Sequence, residues 1–302
     1  MRLKVIYHTD VGRKRKNNED SLCVVKAQLK FGVEKTLQIE RWIVKGELPN
    51  EKLENGKTEV KNLSEKQMEG IKNALGIPRE QKTDITFWIL GIADGMGGHM
   101  AGEVASGIAV DRYPEAVLNE LLKGVSVGMA AENGLKEINK EILKIANENI
   151  WRYGNMGTTF CAMIVIERAD NNCIVVNVGD SRAYLFRDNT LKQLTRDHTY
   201  VNVLLEDGVI TKEMAFNHPQ RNVLLRAVGI KEKVFYDRHE IVLKKGDMFL
   251  LCSDGLTDAV PDEEIREIFL TTPFPKLHHT LIERANYHGG KDNITVVIAG
   301  VD

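Results

Sequence analysis

The chain has 302 residues, of which 43% are hydrophobic and 28% are charged, and its formal net charge is −2. These proportions are ordinary for a folded globular protein, and a chain of this length buries enough apolar surface to fold without disulfides. The lack of a basic excess argues against nucleic-acid binding through a positively charged face. Neither a signal-peptide core nor an apolar run of about 20 residues is present, so we expect a cytoplasmic protein without membrane contact.

The cysteines point to the same compartment. Cys23, Cys161, Cys173 and Cys252 show no C-x-x-C spacing, which excludes the common zinc-ribbon and redox motifs. At least three of them lie in apolar runs, so we expect buried free thiols, which suit a reducing compartment.

The first half of the chain predicts two strands, an insertion and two helices. Apolar runs at 21–27 and 86–93 have the length of strands. The polar stretch between them, at about 34–84, is interpreted as an insertion with a helix near Ser64–Leu75, for which Ser64 can be the N-cap. Because it also carries apolar residues, we predict a folded appendage built as a lengthened hairpin plus a helix. A solvated loop stays the alternative. Residues 101–123 and 129–150 are expected to be helical.

The second half is richer in strands. We expect strands at 158–167, 172–178, 182–187, 233–243, 247–252 and 293–300, helices at 261–270 and 275–287, and a mostly polar segment with short helical pieces at 195–222. Strands and helices do not alternate regularly, so a doubly wound parallel sheet is disfavoured. The pattern instead indicates an α+β fold with two packed antiparallel sheets flanked by helices.

Acidic residues stand where several of the predicted strands begin or end. They are Glu19, Asp20, Asp94, Asp180, Asp254 and Asp292. Carboxylates held at the ends of rigid strands can converge on one point, and magnesium or manganese ions prefer such oxygen ligands. Any single Asp-Gly pair is also a common turn signal. The set is therefore more informative than any one member.

Five stretches, in this order, resemble the type 2C metal-dependent serine/threonine protein phosphatases, with details typical of the bacterial branch. They are TDVGRKRKNNEDS (9–21), ADGMGGHMAGEVAS (93–106), GTT (157–159) with VGDSRAY (178–184), SDGLTD (253–258) and GGKDNIT (289–295). The segment HPQRNVLLRAVG (218–229) is also typical of that family. The resemblance covers nearly the whole chain except the insertion, and five motifs in order are far more specific than one.

The resemblance implies a single catalytic domain over 1–302. Its fold would be an antiparallel β-sandwich flanked by pairs of helices, with a two-metal site at one end and a flap at about 195–222. Its activity would be hydrolysis of phosphoserine and phosphothreonine in proteins by metal-activated water, opposing a serine/threonine kinase. The expected partners are that kinase and its targets, with no nucleic acid and no membrane, and the expected state is a monomer.

The resemblance also implies the metal ligands. They would be Glu19, Asp20, Asp94, the carbonyl of Gly95, Asp180, Asp254 and Asp292. Asp94 would bridge two manganese or magnesium ions, while Asp180 with Asp254 resembles the pair that holds a third, weaker ion. Two ions about 3.5–4 Å apart neutralise a phosphate dianion and lower the pKa of a water between them.

Two further residues match the family's catalytic groups. Arg15 matches the arginine that binds the substrate phosphate, since a guanidinium fork grips two phosphate oxygens. Its neighbours Lys14 and Lys16 are solvated or steering charges. Animal members have a histidine where this chain has Met96, but bacterial relatives have one three residues later, which is His99 here. His99 is a candidate general acid. It could instead hydrogen-bond a metal ligand or water, and the proton could come from a water held by a metal.

Two rival functions remain open at this stage. The first is a catalytically inactive relative that binds phosphoproteins or regulates a partner, although all the expected acidic positions are filled. The second is a metal-dependent hydrolase of small phosphate esters, which the shallow site of this family argues against.

Overall fold

The computed structural model describes residues 1–31, 35–45, 57–78, 80, 84–97, 100–167 and 172–302. The elements of its first half are β1 (Leu3–Asp10), β2 (Asp20–Phe31), β3 (Lys35–Lys45), β4 (Lys57–Asn62), α1 (Glu65–Ala74), β5 (Ile85–Met96), α2 (Met100–Leu122), α3 (Val127–Glu148) and α4 (Ile150–Tyr153). Both long predicted helices and both predicted strands are confirmed, but β1 was not predicted. Most of its residues are half-buried at the edge of a sheet, and no continuous apolar run marks it.

The second half also follows the predicted order. Its elements are β6 (Gly157–Thr158), β7 (Phe160–Ile166), β8 (Asn172–Val178), β9 (Arg182–Arg187), β10 (Thr190–Gln193), α5 (Tyr200–Glu206), α6 (Lys212–Phe216), β11 (Asp237–Val242), β12 (Met248–Cys252), α7 (Asp254–Thr257), α8 (Asp262–Thr271), α9 (Leu277–Tyr287) and β13 (Ile294–Val301). The strand predicted at 233–243 begins only at Asp237, which pairs with Asn177 near the end of β8. Residues 233–236 are not part of the strand.

Among the described residues the strands form two antiparallel sheets. One has the order β1-β13-β12-β9-β10, and the other has the order β11-β8-β7-β5-β2-β3-β4, with β6 paired to the end of β5. Apolar side chains from both sheets fill the space between them, among them Leu22, Leu90 and Phe249. The predicted antiparallel sandwich is confirmed.

Helices cover both outer faces of the sandwich. A core beneath α1, α2 and α3 includes Val25, Phe87 and Tyr113, and a second core beneath α8 and α9 includes Leu250 and Ile268. The run SLCVV in β2 is continuously apolar because alternate residues enter the sandwich and the helix-covered core. The resulting layers are helix, sheet, sheet and helix. The four cysteines are buried free thiols, as predicted.

The described part of the predicted insertion is folded. Strand β3 pairs with β2 from Ser21 opposite Lys45 to Phe31 opposite Lys35, and β4 continues the sheet. Helix α1 begins after Ser64, whose hydroxyl accepts the Gln67 amide at 3.3 Å while the Gln67 side chain accepts the Ser64 amide at 3.0 Å. This capping box confirms the predicted N-cap. Residues 46–56 lie outside the described residues.

None of the described helices is long and apolar enough to cross a membrane.

Candidate active site

Five of the aspartates singled out in the sequence meet at one end of the sandwich. Strands β5, β8 and β12 end there, and β2 and β13 begin there. The residues brought together are Asp20, Asp94, Asp180, Asp254 and Asp292, and the negative charge of the other four raises the pKa of Asp94. Neighbouring antiparallel strands place the end of one beside the start of the next, so strand-end residues share one edge of a sheet.

Asp20 is buried at the start of β2. Its Oδ2 accepts hydrogen bonds from the hydroxyls of Ser253 and Thr295, both at 2.7 Å, which fix the orientation of the carboxyl group. Its Oδ1 is buried without a hydrogen-bond partner. Burial raises the pKa of Asp20 to about 6. A buried carboxylate oxygen with no partner costs free energy, which a bound cation would recover.

Asp94 stands directly opposite Asp20 in the pairing of β2 with β5. Its backbone is held on both sides, because its amide donates to Thr159 Oγ1 at 3.0 Å and its carbonyl accepts from the Thr158 hydroxyl at 2.8 Å. Burial first, and then repulsion from Asp20, raise the pKa of Asp94 well above its ordinary value. The cluster therefore carries more negative charge than its surroundings compensate.

Gly95 lies where β5 meets the start of helix α2. A Cβ atom placed on Gly95 would lie 2.2 Å from the carbonyl oxygen of Gly102, so no larger residue fits. The Gly95 amide donates to the carbonyl of Glu19 at 3.2 Å. This contact ties the segment after Asp94 to the residue that precedes Asp20.

Asp180 and Asp254 form the second part of the site. Asp254 begins α7, and its Oδ1 is a buried oxygen without a hydrogen-bond partner. Both residues are partly exposed. Burial and neighbouring carboxylates raise the pKa of Asp180 to about 7 and that of Asp254 well above its ordinary value. A cavity of about 490 Å³ begins at these two residues and extends beneath α5 and α6, within the predicted flap.

Asp292 is engaged by the predicted phosphate-binding residue. Arg15 donates to Asp292 Oδ2 at 2.7 Å, and about half of the Arg15 side chain is exposed. The negative charges of Glu19 and Asp94 also act on Arg15, so the guanidinium lies at the rim of the carboxylate cluster. His99 lies outside the described residues.

Several supporting residues were not predicted. The side-chain amide of Asn293 donates to the carbonyls of Val11 and Asn17 at 3.0 and 2.9 Å, and its oxygen accepts the Glu19 amide at 2.8 Å. Only its position within KDN marked it in the sequence. Ser253 and Thr295, which orient Asp20, also lie inside quoted motifs, but a hydroxyl beside an aspartate is not by itself a signal.

His198 is another supporting residue without a sequence signal. Its Nδ1 accepts the Gly179 amide at 3.1 Å, which fixes the turn that precedes Asp180. Its Nε2 lies 3.1 Å from Asp237, and burial lowers its pKa. A buried histidine in a polar segment is not distinguishable by sequence from a half-buried one such as His218.

The donor set suits a hard divalent cation. Within the described part of the chain, no three His, Cys, Asp or Glu side chains are placed so that they could hold a metal ion without adjustment. Asp292 is turned to Arg15, and Asp20 to the hydroxyls of Ser253 and Thr295. The unpaired buried oxygens of Asp20 and Asp254 and the mutual repulsion nevertheless fit a cation, because carboxylate oxygens are its preferred ligands. Rotation of the carboxyl groups costs little free energy compared with the repulsion that a bound cation removes.

Known proteins are similar to this chain in both sequence and fold. Residues 80–295 match the model of the family described as protein phosphatase 2C. The chain is 42% identical over 214 residues to a serine/threonine phosphatase, stp, of Listeria monocytogenes, which is 70% of this chain and 83% of that protein. The chain belongs to the protein phosphatase 2C family.

Solved structures of family members agree over the whole chain. The serine/threonine phosphatase of S. agalactiae superposes with a TM-score of 0.71 at 26% identity, covering 100% of both chains. The catalytic domain of the serine/threonine protein phosphatase PstP, in complex with two manganese ions, superposes with a TM-score of 0.66 at 29% identity, covering 99% of both chains. The protein is therefore a metal-dependent protein serine/threonine phosphatase with phosphoprotein substrates. An inactive phosphatase-like protein is not favoured.

The raised pKa values of the phosphatase predict how its metal-free form responds to pH. With pKa values of about 6 for Asp20 and about 7 for Asp180, against an ordinary value of 3.8, the folded state binds more protons than the unfolded state between about pH 4 and pH 7. Their contribution to stability is present at low pH and is lost as pH rises through the folded-state pKa. In EDTA, Tm should therefore fall by about 5 °C or more between pH 5.5 and pH 8.

An Asp94→Asn protein separates the effect of the carboxyl cluster from that of the histidines, which titrate in the same pH range. It keeps every histidine but has one carboxyl group fewer. Its Tm should fall less over the same pH range. Equal pH slopes for the two proteins, measured by thermal melting in EDTA, would contradict the repulsion that we infer among these carboxyl groups.

Proposed function

We propose that the carboxylate cluster holds two manganese or magnesium ions and hydrolyses phosphoserine and phosphothreonine in proteins. The observation that carries the proposal is the convergence of Asp20, Asp94 and Asp254, which all have raised pKa values and of which Asp20 and Asp254 each have an unpaired buried oxygen. Such an arrangement destabilises the folded protein until a cation is bound. Functional sites commonly carry such a cost in stability.

The ligand assignments are those that the resemblance to the family implies. Asp94 would bind both ions, the carbonyl of Gly95 would bind one of them, and Asp254 and Asp292 would complete the other. Asp20, which stands opposite Asp94 in the pairing of β2 with β5, and Glu19 are assigned as ligands directly or through water, and Asp180 with Asp254 is assigned to a third, weaker ion. When bound, such ions neutralise phosphate charge and make a water molecule nucleophilic near neutral pH. Carboxylate and carbonyl oxygens accept either metal, so both Mn²⁺ and Mg²⁺ are proposed.

The chain's own groups have distinct tasks in this reaction. The hydroxyls of Ser253 and Thr295 hold one oxygen of Asp20 and leave the other oxygen for a cation. His99 is proposed as the general acid that protonates the leaving serine or threonine oxygen. Hydrogen bonding to a metal ligand, or protonation by water, remains the alternative role.

Arg15 is proposed to bind the phosphate of the substrate. It is the arginine at the rim of the cluster, and its exposed guanidinium can exchange Asp292 for a phosphate oxygen pair. Arg15→Ala should raise KM for a phosphopeptide about 10-fold or more and change kcat less, because binding shared by the ground state and the transition state is lost. Steady-state kinetics at saturating Mn²⁺ measures this split.

Arg13→Ala is the matched control, since Arg13 is an exposed arginine two residues away that contacts the Asn286 carbonyl rather than a carboxylate. It should alter KM less than Arg15→Ala does. A lower kcat with unchanged KM in the Arg15→Ala protein would contradict the proposed role.

Residues 1–302 are proposed to be one catalytic domain with two specialised segments. The flap at about 195–222 borders the cavity at Asp180 and Asp254, so we propose that it contributes to selection among phosphoproteins. The insertion at about 34–84 carries none of the proposed ligands, so we propose that it is an appendage that docks a substrate or a regulator.

The cellular setting is also a proposal. We infer a cytoplasmic monomer that opposes a serine/threonine kinase and acts on that kinase and its targets. The four free thiols support a reducing compartment, and the protein substrates of the family support the pairing with a kinase.

The function is tested by phosphate release from matched peptides. With Mn²⁺, the wild-type protein should hydrolyse phosphothreonine and phosphoserine peptides, while an Asp254→Asn protein should lose about 100-fold or more in kcat. A free phosphorylated sugar or nucleotide should be a poor substrate. Hydrolysis of such small esters in preference to every phosphopeptide would show that the small-ester hydrolase is the correct function.

A further inference from the structure

The loop that carries Arg15 is held rigidly against the last part of the chain. The Asn293 side chain donates to the carbonyls of Val11 and Asn17 and so ties the two ends of this loop together, at 3.0 and 2.9 Å. Within the loop, the Arg13 amide donates to the Gly290 carbonyl at 2.7 Å. Arg15 is fixed at Asp292.

The start of the loop has a conformation that only glycine adopts easily. Gly12 has a φ of +76°, and a Cβ atom there would lie 2.2 Å from the carbonyl oxygen of Asp292. The loop therefore packs directly on the segment that supplies a proposed metal ligand. Its geometry is set before any substrate arrives, which lowers the entropic cost of binding.

The basic loop, Arg13–Lys16, contains two arginines that are anchored and two lysines that are not. Arg13 and Arg15 contact the 286–292 segment, whereas Lys14 and Lys16 alternate with them and are exposed. Lys291, beside Asp292, is exposed as well. Throughout the described residues these three lysines form no ion pair, unlike many other lysines of the protein.

Unpaired lysines at this position have a consequence for the substrate. They lie next to the arginine proposed to bind phosphate, so they border any peptide whose phosphorylated residue occupies the site. The carboxylate cluster would repel an acidic peptide, whereas this rim attracts one. Charges on a rigid rim act on encounter and on binding, and their effect weakens with salt.

We propose that the basic loop, with Lys291, makes the enzyme select phosphorylated residues that have a second anionic group close by in the sequence. That group is either an acidic side chain or a second phosphorylated residue. The proposal rests on the proposed function, since it assigns the substrate class of the same site.

The test compares three phosphothreonine peptides of one length, with alanine, glutamate or a second phosphothreonine next to the target residue. Wild-type protein with Mn²⁺ should prefer the two anionic peptides over the alanine peptide by about 10-fold in kcat/KM. Lys14→Glu/Lys16→Glu should remove most of this preference by raising KM for the two anionic peptides, because the attraction of the rim becomes repulsion. In 0.5 M salt the wild-type preference should shrink.

Lys245→Glu is the charge-matched control. Lys245 is exposed and precedes β12, whose other end leads to Asp254, so the same change of charge is made far from the site. It should leave the order of the three peptides unchanged. Lys14→Gln/Lys16→Gln removes the charges without reversing them and should give an intermediate loss, with folding of each variant checked by thermal melting.

The outcomes distinguish which anionic group is recognised, and they test this inference separately from the proposed function. A selective loss on the doubly phosphorylated peptide alone identifies a second phosphate as the recognised group, and a loss on both anionic peptides identifies negative charge in general. Equal changes on all three peptides, or the same selective loss in Lys245→Glu, would overturn the inference. If wild-type protein with Mn²⁺ hydrolysed none of the three, the proposed function itself would be wrong.

Discussion

Asp94→Ala should lower kcat about 10³-fold or more while the protein stays folded. Asp94 lies at the centre of the cluster, opposite Asp20 and within the electrostatic influence of Asp180, Asp254 and Asp292. Its removal would take away a ligand that we assign to both ions, and with it the activation of the attacking water. The measurement is kcat on p-nitrophenyl phosphate and on a phosphopeptide across a range of Mn²⁺ concentrations.

The Asp94→Ala protein should also be more stable than wild-type protein without metal. The substitution removes a carboxyl group whose pKa is raised by burial and by the negative charges of Asp20 and Asp254, and sites built for function commonly sacrifice stability. Asp188→Asn is a control for loss of an aspartate charge elsewhere, because Asp188 lies at an exposed turn between β9 and β10 with a φ of +51°, a conformation that asparagine tolerates. Activity within a few-fold of wild type in Asp94→Ala would refute its central role.

Removal of divalent metal should abolish activity, and Mn²⁺ should restore it. A site made of carboxylate and carbonyl oxygens binds Mn²⁺ or Mg²⁺ modestly, so dialysis against EDTA should remove the ions. Activity should fall about 100-fold or more and return on addition of Mn²⁺, with Zn²⁺ and Ca²⁺ as comparison metals. Mn²⁺ should also raise Tm, since it binds the folded state and relieves repulsion there.

A matched protein separates metal binding from other effects of EDTA. Asp292→Asn keeps the shape of a proposed ligand but removes its charge, so it should need a higher Mn²⁺ concentration for half-maximal activity. Full activity of the wild-type protein after exhaustive chelation would contradict a metal-dependent reaction.

The sandwich and the cluster of aspartates at its end were predictable because both depend on short sequence patterns, namely apolar runs and the aspartates next to them. Apolar runs of strand length predicted β2, β5, β7 and β8, and an aspartate that directly follows or precedes such a run must lie at an edge of the sheet. The register that sets Asp20 opposite Asp94 was not predictable, since it depends on pairing between residues that are distant in sequence.

What the sequence did not reveal depends on tertiary contacts. Strand β1 is mostly half-buried and is held by its pairing with β13, and its sequence has no continuous apolar run. The hydroxyls that hold Asp20 and the histidine that fixes the Asp180 turn come from segments far away in the chain. Such contacts have no local sequence pattern.

Binding of ions at the aspartate cluster is the central requirement of the proposed reaction, and a crystal grown with Mn²⁺ tests it directly by anomalous scattering. We expect two strong manganese peaks, both within coordination distance of the Asp94 carboxylate, one of them also near the Gly95 carbonyl and the other near Asp254 and Asp292. A third, weaker peak is expected between Asp180 and Asp254. Manganese bound elsewhere on the protein, with no peak beside Asp94 at a saturating concentration, would contradict the account.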